Sequence, residues 1–197
     1  MTIETFAALL IFAAATSLTP GPNNLMLLAS GVNFGFWRTI PHMVGVAGGF
    51  AVLLLSVGFG LGAALAAFPA LNTVLKVLGG VYLLYLAWRI ATTGPIARGR
   101  VGAAPMSFLA AAAFQWVNPK AWFMAITAMS LYTSASAPII SILLVTTGFV
   151  LVNLPSVSMW AGFGTVLSRV LDDPARLKWF NVGMGLLLAA SIVPLIG

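Results

Sequence analysis

Cysteine is absent from this chain, which excludes disulfides, thiolate chemistry, iron–sulfur clusters and Cys-ligated zinc. Acid is nearly absent as well: Glu4, Asp172 and Asp173 stand against nine basic residues. The single histidine, His42, cannot by itself build a metal site or supply the paired axial ligands of a membrane haem. Charged residues of both signs make up only 6% of the sequence, where a soluble globular chain carries roughly a quarter. The apolar stretches hold neither a nucleophile paired with a base nor a metal-ligand cluster, so we expect no enzyme, no cofactor and no metal.

What is present is apolar: 61% of the 197 residues are hydrophobic, and the mean hydropathy is +1.08. A water-soluble fold of this length cannot hide that much apolar surface, so the bilayer is the expected solvent. Six stretches are each long enough to span: about Phe6 to Val32, Met43 to Phe68, Leu71 to Ala91, Ser107 to Leu131, Ile139 to Phe163 and Trp179 to Ile196. Turn-forming connectors such as Thr92-Thr93-Gly94-Pro95 and Asp172-Asp173-Pro174 separate them. Met1-Thr2-Ile3-Glu4-Thr5 carries an acid where a signal peptide carries bases, so we expect the first helix to be retained.

The formal charge of +6 reads as topology rather than as a nucleic-acid footprint, because no basic run with interleaved aromatics tracks along the chain. Arg38, Arg89, Arg98, Arg100, Arg169, Arg176 and Lys178 all fall in connectors of one side or beside them. The positive-inside rule makes that side cytoplasmic and puts both termini periplasmic or extracellular.

Two of the stretches are interrupted near mid-membrane depth. Thr19-Pro20-Gly21-Pro22-Asn23-Asn24 starts roughly 20 Å along the first, counting from Phe6. Neither proline donates to the helix ladder, so the helix should unwind there and leave main-chain groups for protein, water or a ligand to satisfy. Asn118-Pro119-Lys120 lies at similar depth in the fourth and reads as a helix start, with Asn at the N-cap and Pro at the first helical position. A helix beginning there points free N–H groups and a positive dipole end at the centre, which favours a carboxylate, and Lys120 adds a full charge beside it.

The breaks recur about half a chain apart, and Leu75-Lys76 in the third stretch is echoed by Leu177-Lys178 near the sixth. A three-helix repeat, being odd, must cross in the opposite sense in its second copy. We therefore expect an all-α integral membrane domain over residues 1–197, built as two inverted repeats of about 1–95 and 105–197, with helices 1 and 4 interrupted.

Gln115 and Asn153 lie deep in helices and suit either substrate contact or interhelical hydrogen bonds. Gly31 and Gly35, Gly45 and Gly49, and Gly58 and Gly62 have small-xxx-small spacing, read as internal packing with homodimerisation as the alternative. Trp116, Trp122 and Phe123 around the second break suit a cavity wall or lipid contact. His42 reads as an interfacial or hydrogen-bonded residue at the start of the second helix.

Both break motifs, together with Gly80-Val81-Tyr82-Leu83-Leu84-Tyr85-Leu86 and Trp88-Arg89, resemble the LysE/RhtB amino-acid exporters along the whole chain. The resemblance implies a bacterial inner-membrane carrier that exports amino acids or related metabolites by exchange against protons. No carboxylate lies within the apolar core, so a proton would have to use Lys120, His42, Glu4 or the substrate. The same lack argues against a cationic substrate side chain and favours neutral amino acids.

The expected substrate site gathers Thr19, Pro20, Gly21, Pro22, Asn23, Asn24, Gln115, Asn118, Pro119, Lys120 and Asn153. In it the helix-four start and Lys120 receive the carboxylate, while Thr19, Asn23, Asn24 and the freed carbonyls receive the ammonium. The expected partners are a small-molecule amino acid and the lipid bilayer, with no nucleic acid. The rival readings are an ion or metal exporter, disfavoured by missing soft ligands and carboxylates, and a non-transporting membrane scaffold.

Overall fold

A computed structural model describes residues 1–67, 69–93 and 104–193. Arg98 and Arg100, Gly94 and Pro95, and the ends of the second and sixth apolar stretches lie outside the described residues, as does the side chain of Lys76. Among the described residues every regular element is a helix, and no strand occurs.

The first break divides one stretch into α1 (Ile3–Leu18) and α2 (Pro22–Phe34), bent by 57°. Pro22 is at the start of α2, where a proline costs no ladder bond. α3 (Phe36–Ser56) continues through a π-turn (Val57–Leu61) to a short α4 (Gly62–Ala67), and α5 covers Pro69–Ala91. The second break lies between α6 (Phe108–Phe114), with its 3-10 extension Gln115–Val117, and α7 (Pro119–Tyr132). Two further helices, α8 (Pro138–Leu167) and α9 (Pro174–Ala190), complete the order.

Two helix starts differ from the sequence expectation. α3 begins at Phe36, not near Met43, because Gly35 takes φ 78°, a conformation cheap only for glycine, and reverses the chain in a single residue. Pro41 is absorbed inside the helix, and His42 lies well within it rather than at its mouth. α9 begins at Pro174 rather than Trp179, because Asp173 caps it by accepting from the N–H groups of Ala175 and Arg176, both at 2.9 Å.

Phe36–Leu61, Thr73–Ala91 and Pro138–Leu167 are each long and apolar enough to cross a membrane, and the bent α1–α2 pair passes the same test as a unit. The polarity of the bundle is reversed relative to a soluble protein. Ile11, Val81, Leu109, Leu151 and Phe163 point outward, while Asn24, Asn33, His42, Gln115, Asn118, Asn153 and Asn181 are buried. Apolar exteriors with polar interiors suit lipid as solvent. This is a multi-pass membrane protein.

Close approaches define the packing. A Cβ on Gly31 would come within 2.1 Å of the Ala161 carbonyl oxygen, and one on Gly164 within 2.2 Å of that of Leu28, so α2 and α8 touch backbone to backbone. Gly45 and Gly49 press equally hard against Phe108 and Ala112 of α6. Four of the spaced glycines therefore face inward: Gly31, Gly45, Gly49 and Gly58, the last against Ile142. The α1–α2 unit runs parallel to α8, since Leu9 meets Gly148 and Gly31 meets Ala161. α3 runs parallel to α6 and α7, from Gly45 at Phe108 to Gly58 at Met129. α5 and α9 pair antiparallel, with Gly185 on Ala87 and Gly80 on Ile192.

Candidate functional site

In a straight helix the carbonyls of Thr16 and Leu18 would accept from residues 20 and 22, but both are proline and have no N–H. The chain between Leu18 and Pro22 therefore leaves the ladder, and its carbonyls find other donors. Thr19 Oγ1 donates to the Thr16 carbonyl at 2.9 Å. The Ser17 carbonyl accepts from Asn24 Nδ2 at 2.7 Å and Ser156 Oγ at 2.9 Å. Asn24 Nδ2 also donates to the Thr19 carbonyl at 2.8 Å. Lys120 serves Thr19 and Pro20: its Nζ donates to the Thr19 carbonyl at 2.8 Å, to Thr19 Oγ1 at 2.9 Å and to the Pro20 carbonyl at 3.3 Å.

The second break is built as expected, with Asn118 at the N-cap and Pro119 at the first helical position. Asn118 Oδ1 accepts from the Lys120 N–H at 3.1 Å. Trp122 Nε1 donates to the freed Trp116 carbonyl at 2.8 Å. These two tryptophans brace the break in an edge-on pair, ring centroids 6.3 Å apart, and do not line the cavity. Phe123 points outward.

The breaks are tied together twice. Beside the Lys120 contacts, Asn23 and Gln115 form a reciprocal amide pair: Asn23 Nδ2 donates to Gln115 Oε1 at 2.8 Å, and Gln115 Nε2 donates to Asn23 Oδ1 at 3.2 Å. Gln115 is fixed further by donating to the Ala111 carbonyl at 2.9 Å. Gly21 makes room for the lysine stem, since a Cβ there would lie 2.8 Å from Lys120 Cδ.

Around this junction is a cleft of about 380 Å³ of empty space, its open mouth included. Of the residues expected from sequence, Gly21, Asn23, Asn24, Gln115, Asn118, Lys120 and Asn153 line it together. Thr19, Pro20, Pro22 and Pro119 do not line it. Thr19 and Pro20 lie exposed at its edge and reach the site through their carbonyls. The prolines act by ending and starting helices.

Two polar atoms buried in this wall have no hydrogen-bond partner: Ser17 Oγ and Asn153 Oδ1. A buried acceptor left alone costs about 1–3 kcal/mol, so such atoms mark where a bound donor would be repaid. Ser17 was missed in the sequence; its only signal was a hydroxyl just before the break. Apolar lining from Val46, Phe50, Ala121 and Met124 completes the cleft and was equally illegible, because these residues look like any other part of an apolar helix.

His42 is not hydrogen-bonded as expected. It is only 2% exposed, and neither ring nitrogen has a partner. Its burial follows from the early start of α3. Among the described residues no three of His, Asp and Glu stand close enough to hold a metal ion.

The arrangement offers clustered acceptors, a half-buried cation and two helix N-termini within one cleft. A family model described as LysE type translocator matches residues 14–193. The chain is 30% identical over 195 residues to the cysteine/O-acetylserine efflux protein of Escherichia coli (strain K12), covering 98% of each chain. It has the same identity and coverage against the Shigella flexneri protein of that name. Against the Salmonella typhi protein of that name it is 36% identical over 133 residues, 67% of each chain. No solved structure matches.

Proposed function

This chain belongs to the family of LysE type translocators, a transport protein and not an enzyme, and from that premise we propose that it exports neutral amino acids or closely related metabolites across the bacterial inner membrane by proton antiport. The names of its relatives, which describe cysteine and O-acetylserine efflux, support the amino-acid class. The scarcity of carboxylates supports a neutral side chain, since nothing anionic in the cleft would pair with a cationic one.

The observation that carries this reading is the triple contact of Lys120 Nζ with the Thr19 carbonyl, Thr19 Oγ1 and the Pro20 carbonyl. An ammonium held by converging oxygens is what the amino end of a zwitterionic substrate requires, and the lysine occupies that position from within the protein. The substrate ammonium competes for those oxygens and gains Ser17 Oγ and Asn153 Oδ1 as additional acceptors. Lys120, once displaced, turns to the substrate carboxylate beside the N-termini of α2 and α7, whose first-turn N–H groups have no carbonyl of their own helix to bond. One residue thereby senses both ends of the solute, and the exchange of partners loosens one break from the other.

The helix arrangement supports a single domain of two inverted three-helix repeats, about residues 1–95 and 105–197. The broken helix of each half packs on the second long helix of the other, α1–α2 on α8 and α6 on α3, while α5 pairs with α9. Such reciprocal packing of oppositely directed halves suits alternating access. Trp37, Trp88 and Trp179 stand exposed at the end that carries Arg38, Arg89, Arg176 and Lys178. That combination of aromatic belt and basic flank supports a cytoplasmic assignment for this end, with both termini on the opposite face.

The test is efflux from reconstituted vesicles with a panel of labelled amino acids, with and without a pH gradient. The reading requires efflux of neutral amino acids, accelerated by a gradient directing protons inward. Efflux confined to lysine and arginine, or none across the panel, overturns the neutral-substrate reading, and indifference to the gradient overturns antiport.

A further inference from the structure

We propose that a second cavity, between α2, α3 and α5, is a solute station that receives the carboxylate end of the exported molecule on its way to the central cleft. This inference rests on the reading of the solute as a zwitterionic amino acid. The cavity encloses about 510 Å³ of empty space with its mouth included, and its polar lining comprises Ser30, Asn33, His42, Arg89 and Thr93.

Most of that lining is already committed. Ser30 and Thr39 share a hydroxyl hydrogen bond of 2.9 Å. Asn33 and Asn181 form a reciprocal amide pair at 2.8 and 2.9 Å, and Asn181 donates on to the Thr93 carbonyl at 2.9 Å. These bonds hold the wall rigid. His42 is the exception, buried with both ring nitrogens unpartnered. An imidazole always presents at least one N–H donor, and burying it without a partner costs free energy that a bound acceptor would recover. Arg89 stands at the rim, its guanidinium 6.0 Å from the Tyr85 ring. No carboxylate lines the cavity. A buried donor and an exposed guanidinium lining one cavity, with no competing anion in that lining, are chemistry for a carboxylate.

The station lies in sequence with the central cleft. Asn23 and Asn24 of α2 line the cleft, and Met26, Ala29, Ser30 and Asn33 of the same helix line the station. On α3, Val46 lines the cleft and His42 the station, one helical turn or about 6 Å apart. Met26 at the station packs in one buried apolar cluster with Phe114, and the buried Val46 lines the cleft. The station therefore lies toward the basic end of the bundle, where Arg89 meets solute first.

Equilibrium dialysis of labelled O-acetyl-L-serine against the full chain in nanodiscs tests this, using wild type, His42→Gln, Arg89→Gln and Lys120→Ala, each checked for monodisperse elution. Wild type should bind two equivalents and each variant one. In vesicle efflux, Arg89→Gln should raise the half-saturating internal concentration about tenfold with little change in maximal rate, and Arg89→Lys should recover part of it. A single equivalent in wild type that Lys120→Ala removes and both station variants retain overturns the station while leaving the central site standing. A single equivalent removed by the station variants and retained by Lys120→Ala upholds the station and overturns the central reading. Should His42→Gln misfold, Arg89→Gln at the exposed rim decides alone.

Discussion

Lys120 Nζ lies 2.8 Å from the carbonyl oxygen of Thr19, a residue 101 positions away. The second residue of one half-helix thus holds a carbonyl that the preceding break in another has freed. That carbonyl also accepts from Asn24 Nδ2 of its own broken helix at 2.8 Å, so the lysine is its second donor. The contact joins the two interruptions, and a solute ammonium that takes the carbonyl competes with Lys120 for it.

Replacing Lys120 by Ala removes a charge-assisted hydrogen-bond cluster. Vesicle efflux should fall about tenfold to a hundredfold, the equivalent of a charged hydrogen bond of roughly 1.5–3 kcal/mol, while the protein still inserts and elutes as wild type. Lys120→Arg should not restore wild-type rates, because a planar fork cannot reproduce three converging contacts at a point charge. Unchanged efflux in Lys120→Ala would remove the lysine from the mechanism.

Gly21→Ala tests the same contact without touching its charge. The backbone at Gly21 is extended, with φ −179°, so any residue can adopt it; the obstruction is Lys120 Cδ at 2.8 Å. The lysine stem must shift, and transport should fall while thermal stability changes little. A wild-type rate in this variant would show that the lysine position is not critical.

Asn153→Leu should separate stability from function. Its Oδ1 is buried and unpartnered, so an apolar side chain of similar size relieves a desolvation cost of about 1–3 kcal/mol. The melting temperature should hold or rise, and solute binding should weaken. Loss of both together would mean the amide is structural.

Asn23 and Gln115 suit a double-mutant cycle. Asn23→Leu or Gln115→Leu alone leaves a facing amide without its partner, at about 1–3 kcal/mol each; the double variant should cost clearly less than the sum. Additive losses in denaturation would show that the pair across the breaks is not energetically coupled.

Gly164→Ala addresses the scaffold. Its Cβ would meet the Leu28 carbonyl oxygen at 2.2 Å, backbone that cannot step aside, so overpacking of about 1–3 kcal/mol should lower the melting temperature. Gly162→Ala, with nothing within reach of its Cβ, should not.

The sequence by itself determined the solvent, the breaks and half of their construction. Apolar runs this long have only lipid to face, and an Asn-Pro pair read Asn118 and Pro119 correctly as cap and first helical residue, because capping chemistry is local. Pro22 plays the same role at α2, but two prolines around a glycine signal interruption more loudly than initiation. Only the tertiary structure decided which freed groups meet. Lys120 was readable as a cation suited to a carboxylate, but its seat on the carbonyls of Thr19 and Pro20 was not. Ser17, Asn153 and His42 became distinctive for a similar reason: whether a buried polar atom has a partner depends on neighbours from other helices, and no local pattern encodes that distance.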